Sequence, residues 1–276
     1  MTPVKEQLID IENGELFVNL CGTGPALVLI HGMATDVRLW TPQIDALAAH
    51  FQVISYDMRG FGRSSRPEGP YRAEDDLARL LEQLDIPAAH ILGLSLGSSV
   101  ANRFALAYPQ RTRSLTVVGP VLQGYVDAED FMQGLKYIWA VAREHGVDEA
   151  KAAWLQLPLF TTLLNSPAWS ALGRQMINDY DGWHWQNRDP EVWPEVMPAE
   201  RLAEITAPTL IIIGDQEIEG LRRIGAFMAD KILDATTMTI SDAGHIVNLE
   251  QPEEFNRAVI DFLTQRRLMS GDGQPA

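Results

Sequence analysis

Apolar residues along this chain come in short dense runs, separated by stretches where they recur every three or four positions. The dense runs read as strands. Val4 to Ile11 and Glu15 to Leu20 flank Asn13-Gly14, a pairing that predicts a hairpin. Gly22-Thr23-Gly24-Pro25 then breaks the chain sharply before Ala26-Leu27-Val28-Leu29-Ile30, which is continuously apolar, as a strand buried on both faces requires. Comparable runs recur at Val53 to Tyr56, Ala89 to Leu94, Leu115 to Val118 and Leu210 to Ile213, with a shorter one at Thr236 to Ile240. Helical patterns lie between them, among them Asp75 to Leu84 and Val100 to Tyr108. The last helix opens on Pro252-Glu253-Glu254, a proline and acids in a first turn, and runs to Leu263 with Phe255, Val259 and Phe262 on one face. Buried strands alternating with helices predict an α/β fold, a parallel sheet wrapped by helices.

One segment breaks the alternation. From about Leu122 to Leu202 there is no convincing strand, and six of the seven tryptophans (Trp139, Trp154, Trp169, Trp183, Trp185 and Trp193) sit there. The pattern predicts a core domain from residues 1–121 and 203–268, a helical cap at 122–202 over one edge of the sheet, and a disordered polar tail at 269–276. The tryptophans allow two readings. They glue amphipathic helices to the sheet domain, or Trp183 and Trp185 line an apolar substrate pocket.

Composition narrows function more than it narrows fold. A length of 276 residues suits one large domain carrying an insertion. The formal charge of −15 argues against a nucleic-acid partner, because phosphate binding needs clustered Lys and Arg, and it disfavours anionic membranes. No apolar run approaches the ~18 residues that span a bilayer, and the first residues lack a secretory pattern. The single cysteine, Cys21, has no internal disulfide partner and reads as a structural thiol, which suits a reducing cytoplasm. No spaced His or Cys cluster suggests a metal, and Gly22-Thr23-Gly24 is too short for a dinucleotide fingerprint, so no cofactor is implied.

The residues that carry chemistry centre on Gly93-Leu94-Ser95-Leu96-Gly97, between an apolar strand and a helical pattern. A serine hydroxyl becomes a competent nucleophile only when a base takes its proton. A tight strand-to-helix turn exposes its oxygen, and crowding there demands glycine two residues to either side. The helix start behind it favours developing negative charge. The backbone N–H of Leu96 is a natural donor to an oxyanion.

In order along the chain stand Gly22-Thr23-Gly24-Pro25 before a strand ending in His31-Gly32-Met33, then Asp57-Met58-Arg59-Gly60-Phe61-Gly62-Arg63-Ser64, the Ser95 turn, Gly214-Asp215-Gln216-Glu217 and Ala243-Gly244-His245. With that ordered set the sequence resembles the α/β-hydrolase superfamily over nearly its whole length. More narrowly, it looks like small bacterial esterases and lactonases related to 3-oxoadipate enol-lactonase. The resemblance implies a mostly parallel eight-stranded sheet with a helical cap. It also implies Ser95 as nucleophile, His245 as general base, and the N–H of Met33 as the second oxyanion donor. The third triad member falls at Glu217, where most relatives carry aspartate, with Asp215 and Glu219 two residues to either side. The Asp57–Ser64 stretch and His31 read as structural, and His50, His90, His145 and His184 have weaker claims to chemistry.

The expected activity is hydrolysis of a small-molecule carboxylic ester or lactone. A C–C bond hydrolase or a cofactor-free perhydrolase would use the same serine and histidine. A non-catalytic small-molecule receptor is the rival of a different class. Serine at position 95 argues against the dehalogenases and epoxide hydrolases of the superfamily, which carry aspartate there.

Overall fold

The computed structural model describes residues 2–269. Eight strands form one sheet: β1 (Lys5–Ile11), β2 (Gly14–Cys21), β3 (Ala26–Ile30), β4 (Gln52–Tyr56), β5 (Ala89–Leu94), β6 (Thr112–Val118), β7 (Thr209–Gly214) and β8 (Ala235–Ile240). Their spatial order is β1-β2-β4-β3-β5-β6-β7-β8. β2 pairs antiparallel with β1 and β4, and every other pairing is parallel. Every residue of β3, β5 and β7 is buried, which is why these strands read as unbroken apolar runs. The two edge strands are wetter: β1 exposes Lys5 and Glu6, and β8 exposes Thr236 and Thr237.

Element limits differ from the sequence pattern in instructive ways. Ile11 pairs with Gly14, so the hairpin loop is Glu12-Asn13, one residue earlier than expected. Asn13 takes φ +57°, a left-handed conformation that asparagine tolerates better than most residues. The helical pattern after the Ser95 turn runs from Leu96 to Ala107, starting directly after Ser95 as that motif requires, four residues before the apolar periodicity becomes clear at Val100. Gly97, Ser98 and Ser99 are weak helix formers; hydrogen bonds from Ser98 to the Ser95 carbonyl secure that first turn. The last helix, Pro252–Met269, runs past Leu263 because Thr264 to Met269 holds no breaker. Residue 269, expected to open the tail, is therefore helical, while 270–276 lie outside the described residues.

Between β6 and β7 the chain builds helices, including Glu129–Glu144, Val147–Trp154 and Ser170–Asp179. These have apolar contacts of their own. Trp154 packs against Phe160 and Trp185, with ring centroids 5.5 and 5.6 Å apart, and Trp185 meets Tyr180 edge-on at 5.0 Å. The contacts that tie this segment to the sheet domain include a buried ion-pair cluster and a ring stack. Arg103, from Leu96–Ala107, is 2% exposed and bridges Glu191 at 2.7 Å and Glu74 at 3.3 Å. Buried charges persist only when paired, so this arginine and the two carboxylates hold each other in place. His184 stacks on Phe61 of the Asp57–Ser64 loop, with centroids 4.2 Å apart.

Candidate active site

The parallel strands β5, β7 and β8 all point their carboxyl ends the same way, and the chemistry-bearing residues follow those ends. Ser95 leaves β5 at φ +55°, ψ −116°, outside the conformations a side-chain-bearing residue ordinarily adopts. Such a conformation costs on the order of 1–3 kcal/mol and must be held by its surroundings. The Ser95 amide donates to Val118 O at the end of β6 (2.9 Å). The Ser95 carbonyl accepts from both the amide and the hydroxyl of Ser98, at 2.9 and 2.6 Å. Ser98 Oγ in turn accepts the amide of Val121 (2.9 Å), which knits the turn to the chain beyond β6. The flanking glycines have no room for side chains. A Cβ on Gly93 would lie 2.1 Å from the Gly97 carbonyl oxygen, and one on Gly97 would lie 2.1 Å from that of Ile30.

His245 follows β8, and Glu217 follows β7. Glu217 Oε2 accepts from His245 Nδ1 at 2.7 Å, and Glu217 Oε1 accepts the amide of Ile218 at 2.9 Å. Both side chains are buried. This bond puts the imidazole proton on Nδ1 and leaves Nε2 free to accept one. Burial pulls the His245 pKa down, but the adjacent Glu217 charge and its hydrogen bond outweigh that and leave it above the ordinary imidazole value. Gly119, the residue after Val118, lies against the pair. A Cβ there would come within 2.7 Å of His245 Nδ1 and 3.2 Å of Glu217 Oε2. Ser95 and His245 are thus both seated on the Val118-Gly119 segment.

The other two acids near position 217 do not reach the histidine. Asp215 is exposed, and its Oδ1 accepts the Ala243 amide at 3.3 Å. Glu219 opens the helix Glu219–Lys231 and lies 3.8 Å from Arg223.

The loop after β3 passes over the nucleophile. Gly32 faces Ser95 so closely that a Cβ on it would lie 3.3 Å from Ser95 Cβ. Met33 follows, partly buried. Leu96, as the first residue of its helix, has an amide with no carbonyl a turn earlier to receive it. Behind this loop His31 is fixed as a neutral imidazole. Its Nε2 accepts the Met58 amide (2.9 Å), so Nδ1 carries the proton and donates to Gly32 O (2.8 Å). Burial lowers its pKa, in keeping with that neutral form. Asp57 accepts the amides of Val37 and Arg63, each at 2.8 Å. The Asp57–Ser64 stretch therefore braces the loop over Ser95.

Trp185 is buried among the aromatic residues of the inserted helices, and Trp183 meets His184 edge-on at 4.8 Å. A cavity of about 510 Å³ separates the Thr35–Arg38 and Gly60–Arg66 segments from Met176–Asp181, and neither tryptophan lines it. His90 bonds Ser114 Oγ at 2.8 Å inside the sheet domain, and burial pushes its pKa down to about 4. Among the described residues no group of three His, Cys, Asp or Glu side chains is placed to hold a metal ion. No helix among them is long and apolar enough to cross a membrane.

Sequence reasoning passed over Gly119, Thr162 and Glu250. Gly119 follows β6 without any motif. Thr162 reaches the histidine loop from the inserted helices, 2.9 Å from where a Cβ on Gly244 would stand. Glu250 had one available signal, an acid closing the charge-free turn Val247-Asn248-Leu249.

Comparison with known proteins places these observations in context. The family model described as alpha/beta hydrolase fold matches residues 25–252. The Azorhizobium caulinodans protein RutD, provisionally named a carbamate hydrolase, is 30% identical over 262 residues, covering 91% of this chain and 95% of its own. The 3-oxoadipate enol-lactonase 2 of Acinetobacter baylyi is 29% identical over 244 residues, covering 85% and 87%. Among solved structures, the enol-lactonase from Burkholderia xenovorans LB400 superposes with a TM-score of 0.80 at 26% identity, covering 94% of this chain and all of that one.

Proposed function

The chain belongs to the α/β-hydrolase family, and on that footing we propose that it hydrolyses carboxylic esters or lactones through an acyl-enzyme on Ser95. The observation that carries this reading is the buried His245–Glu217 pair at 2.7 Å, set against Gly119 beside the Val118 carbonyl that holds the Ser95 amide. In the reaction Ser95 Oγ attacks the substrate carbonyl while His245 Nε2 takes its proton. The amides of Met33 and Leu96 receive the oxyanion, each donor in such a site contributing roughly 3–4 kcal/mol to the transition state. His245 returns the proton to the leaving alcohol. Water then attacks the acyl-enzyme, with His245 again as base. Glu217 keeps the imidazole in its working tautomer throughout. Residues 122–202 act as a cap that restricts water at the site, and the anchor at Arg103 keeps it docked.

The similarity to a carbamate hydrolase favours a second substrate class. A carbamate carbonyl would be attacked in the same way, with the alcohol or phenol leaving and a carbamoyl-enzyme, which water hydrolyses, in place of the acyl-enzyme.

Turnover of p-nitrophenyl acetate, p-nitrophenyl butyrate, a small lactone and a phenyl carbamate separates these readings. Sustained ester or lactone turnover, at about 1–1,000 s⁻¹ for a good substrate, is the expected result. Carbamate turnover alone would favour the second class. A single slow turnover with retained product would point to a receptor instead, and cleavage of a vinylogous diketone without esterase activity would point to a C–C hydrolase.

A further inference from the structure

Five residues beyond His245, at the end of the short helix Val247–Glu250, Glu250 folds back beneath the histidine loop. Its Oε2 accepts the amide of Gly244, the residue immediately before His245. Its other oxygen, Oε1, is buried and has no hydrogen-bond partner. A carboxylate with one oxygen stripped of water and left unpaired is costly, and a purely structural tether would be served as well by a neutral amide. The titratable groups facing Glu250 are His245 on its own loop and Glu217 from the segment after β7. Thr162, which approaches from the inserted helices, is uncharged and donates to Gln216 Oε1 at 3.3 Å. The turn Val37–Trp40, packed against the same short helix, presents the Leu39 carbonyl to Asn248 rather than a charge.

We propose that Glu250 is a positioning residue for the general base. Its carboxyl fixes the Gly244 amide, and with it the approach of His245. Its charge stabilises the imidazolium that forms when Ser95 gives up its proton. This rests on the serine-hydrolase reading above and adds a second carboxylate to that site. Burial pushes the Glu250 carboxyl up to about 7, with the Glu217 charge adding to it and the Gly244 amide, the His245 charge and the Ile246 amide opposing it. The Glu250 charge in turn adds to the causes that raise His245. The two titrations are therefore coupled, each charge favouring the other.

The test is Glu250→Gln, followed by the pH dependence of kcat/KM and by NMR titration of the His245 ring. Glutamine keeps an oxygen for the Gly244 amide and loses only the charge. Removing an anion near an imidazolium disfavours the protonated form, so the His245 pKa falls and the neutral base persists to lower pH. The acid limb should move down by about half a unit to one unit, and kcat on the alkaline plateau should fall about threefold to tenfold. Glu250→Leu, which also removes the tether, should lose more in kcat than in KM. An NMR titration and an acid limb that superpose on wild type in Glu250→Gln would overturn the proposal. A lowered His245 pKa in a chain that turns over no substrate would remove the hydrolase reading and leave the coupling between Glu250 and His245 standing.

Discussion

Replacing Ser95 by alanine is expected to lower ester turnover by about 10⁴–10⁶-fold, the largest effect of any single change in this chain. The hydroxyl is the only group on the Ser95 turn that can bond to a carbonyl carbon, so its loss removes the covalent route rather than weakening it. The residual rate would come from water attacking a substrate still polarised by the Met33 and Leu96 amides. Folding should be nearly unaffected. The hydrogen bonds that hold the turn use the Ser95 backbone, not its hydroxyl, and alanine meets the same φ of +55° as serine does. Thermal unfolding of Ser95→Ala within a few degrees of wild type, together with the rate loss, separates a chemical effect from a collapsed site.

The second large effect is expected at Glu217. Glu217→Gln should reduce kcat/KM by about 10²–10⁴-fold, with little change in unfolding temperature. The wild-type carboxylate accepts from Nδ1 and so keeps Nε2 available as a base. A glutamine amide can turn its N–H₂ toward Nδ1, favour the opposite tautomer and leave Nε2 already protonated. Asp215→Asn is the control, because Asp215 sits on the Ala243 amide and not on the imidazole. Its rate should stay within about threefold of wild type, as for most exposed substitutions away from special features. Parallel rate assays on the two variants check the assignment, and a loss confined to Asp215→Asn would transfer the role to Asp215.

Much of this fold was legible because its central strands are buried on both faces. β3, β5 and β7 leave continuous apolar runs, and a glycine-flanked serine directly after such a run leaves few alternatives for the turn. The edge strands signalled more weakly, since three of the six residues of β8 are exposed threonines. What escaped the sequence depends on partners distant along the chain. Gly119 matters because an imidazole and a carboxylate from two later connections rest on it. Arg103 lies on a helix with an ordinary pattern, and only Glu74 and Glu191 reveal why a charge is buried there. The resemblance singled out Glu217 from Asp215 and Glu219 by its distance from Gly214, and the bond from His245 Nδ1 to Glu217 Oε2 agrees with that reading. The tryptophans show the same limit as Gly119 and Arg103. Trp185 is used for packing inside the inserted helices, and sequence alone does not distinguish that from a lining role.

Rapid quenching of wild-type protein during p-nitrophenyl butyrate turnover, with intact-mass analysis and peptide mapping, would reveal the acyl-enzyme on Ser95 itself. One butyryl group per chain is expected, located on the peptide containing Ser95 and absent from Ser95→Ala. Turnover with no acylated protein, or a butyryl group that maps elsewhere and persists in Ser95→Ala, would contradict it.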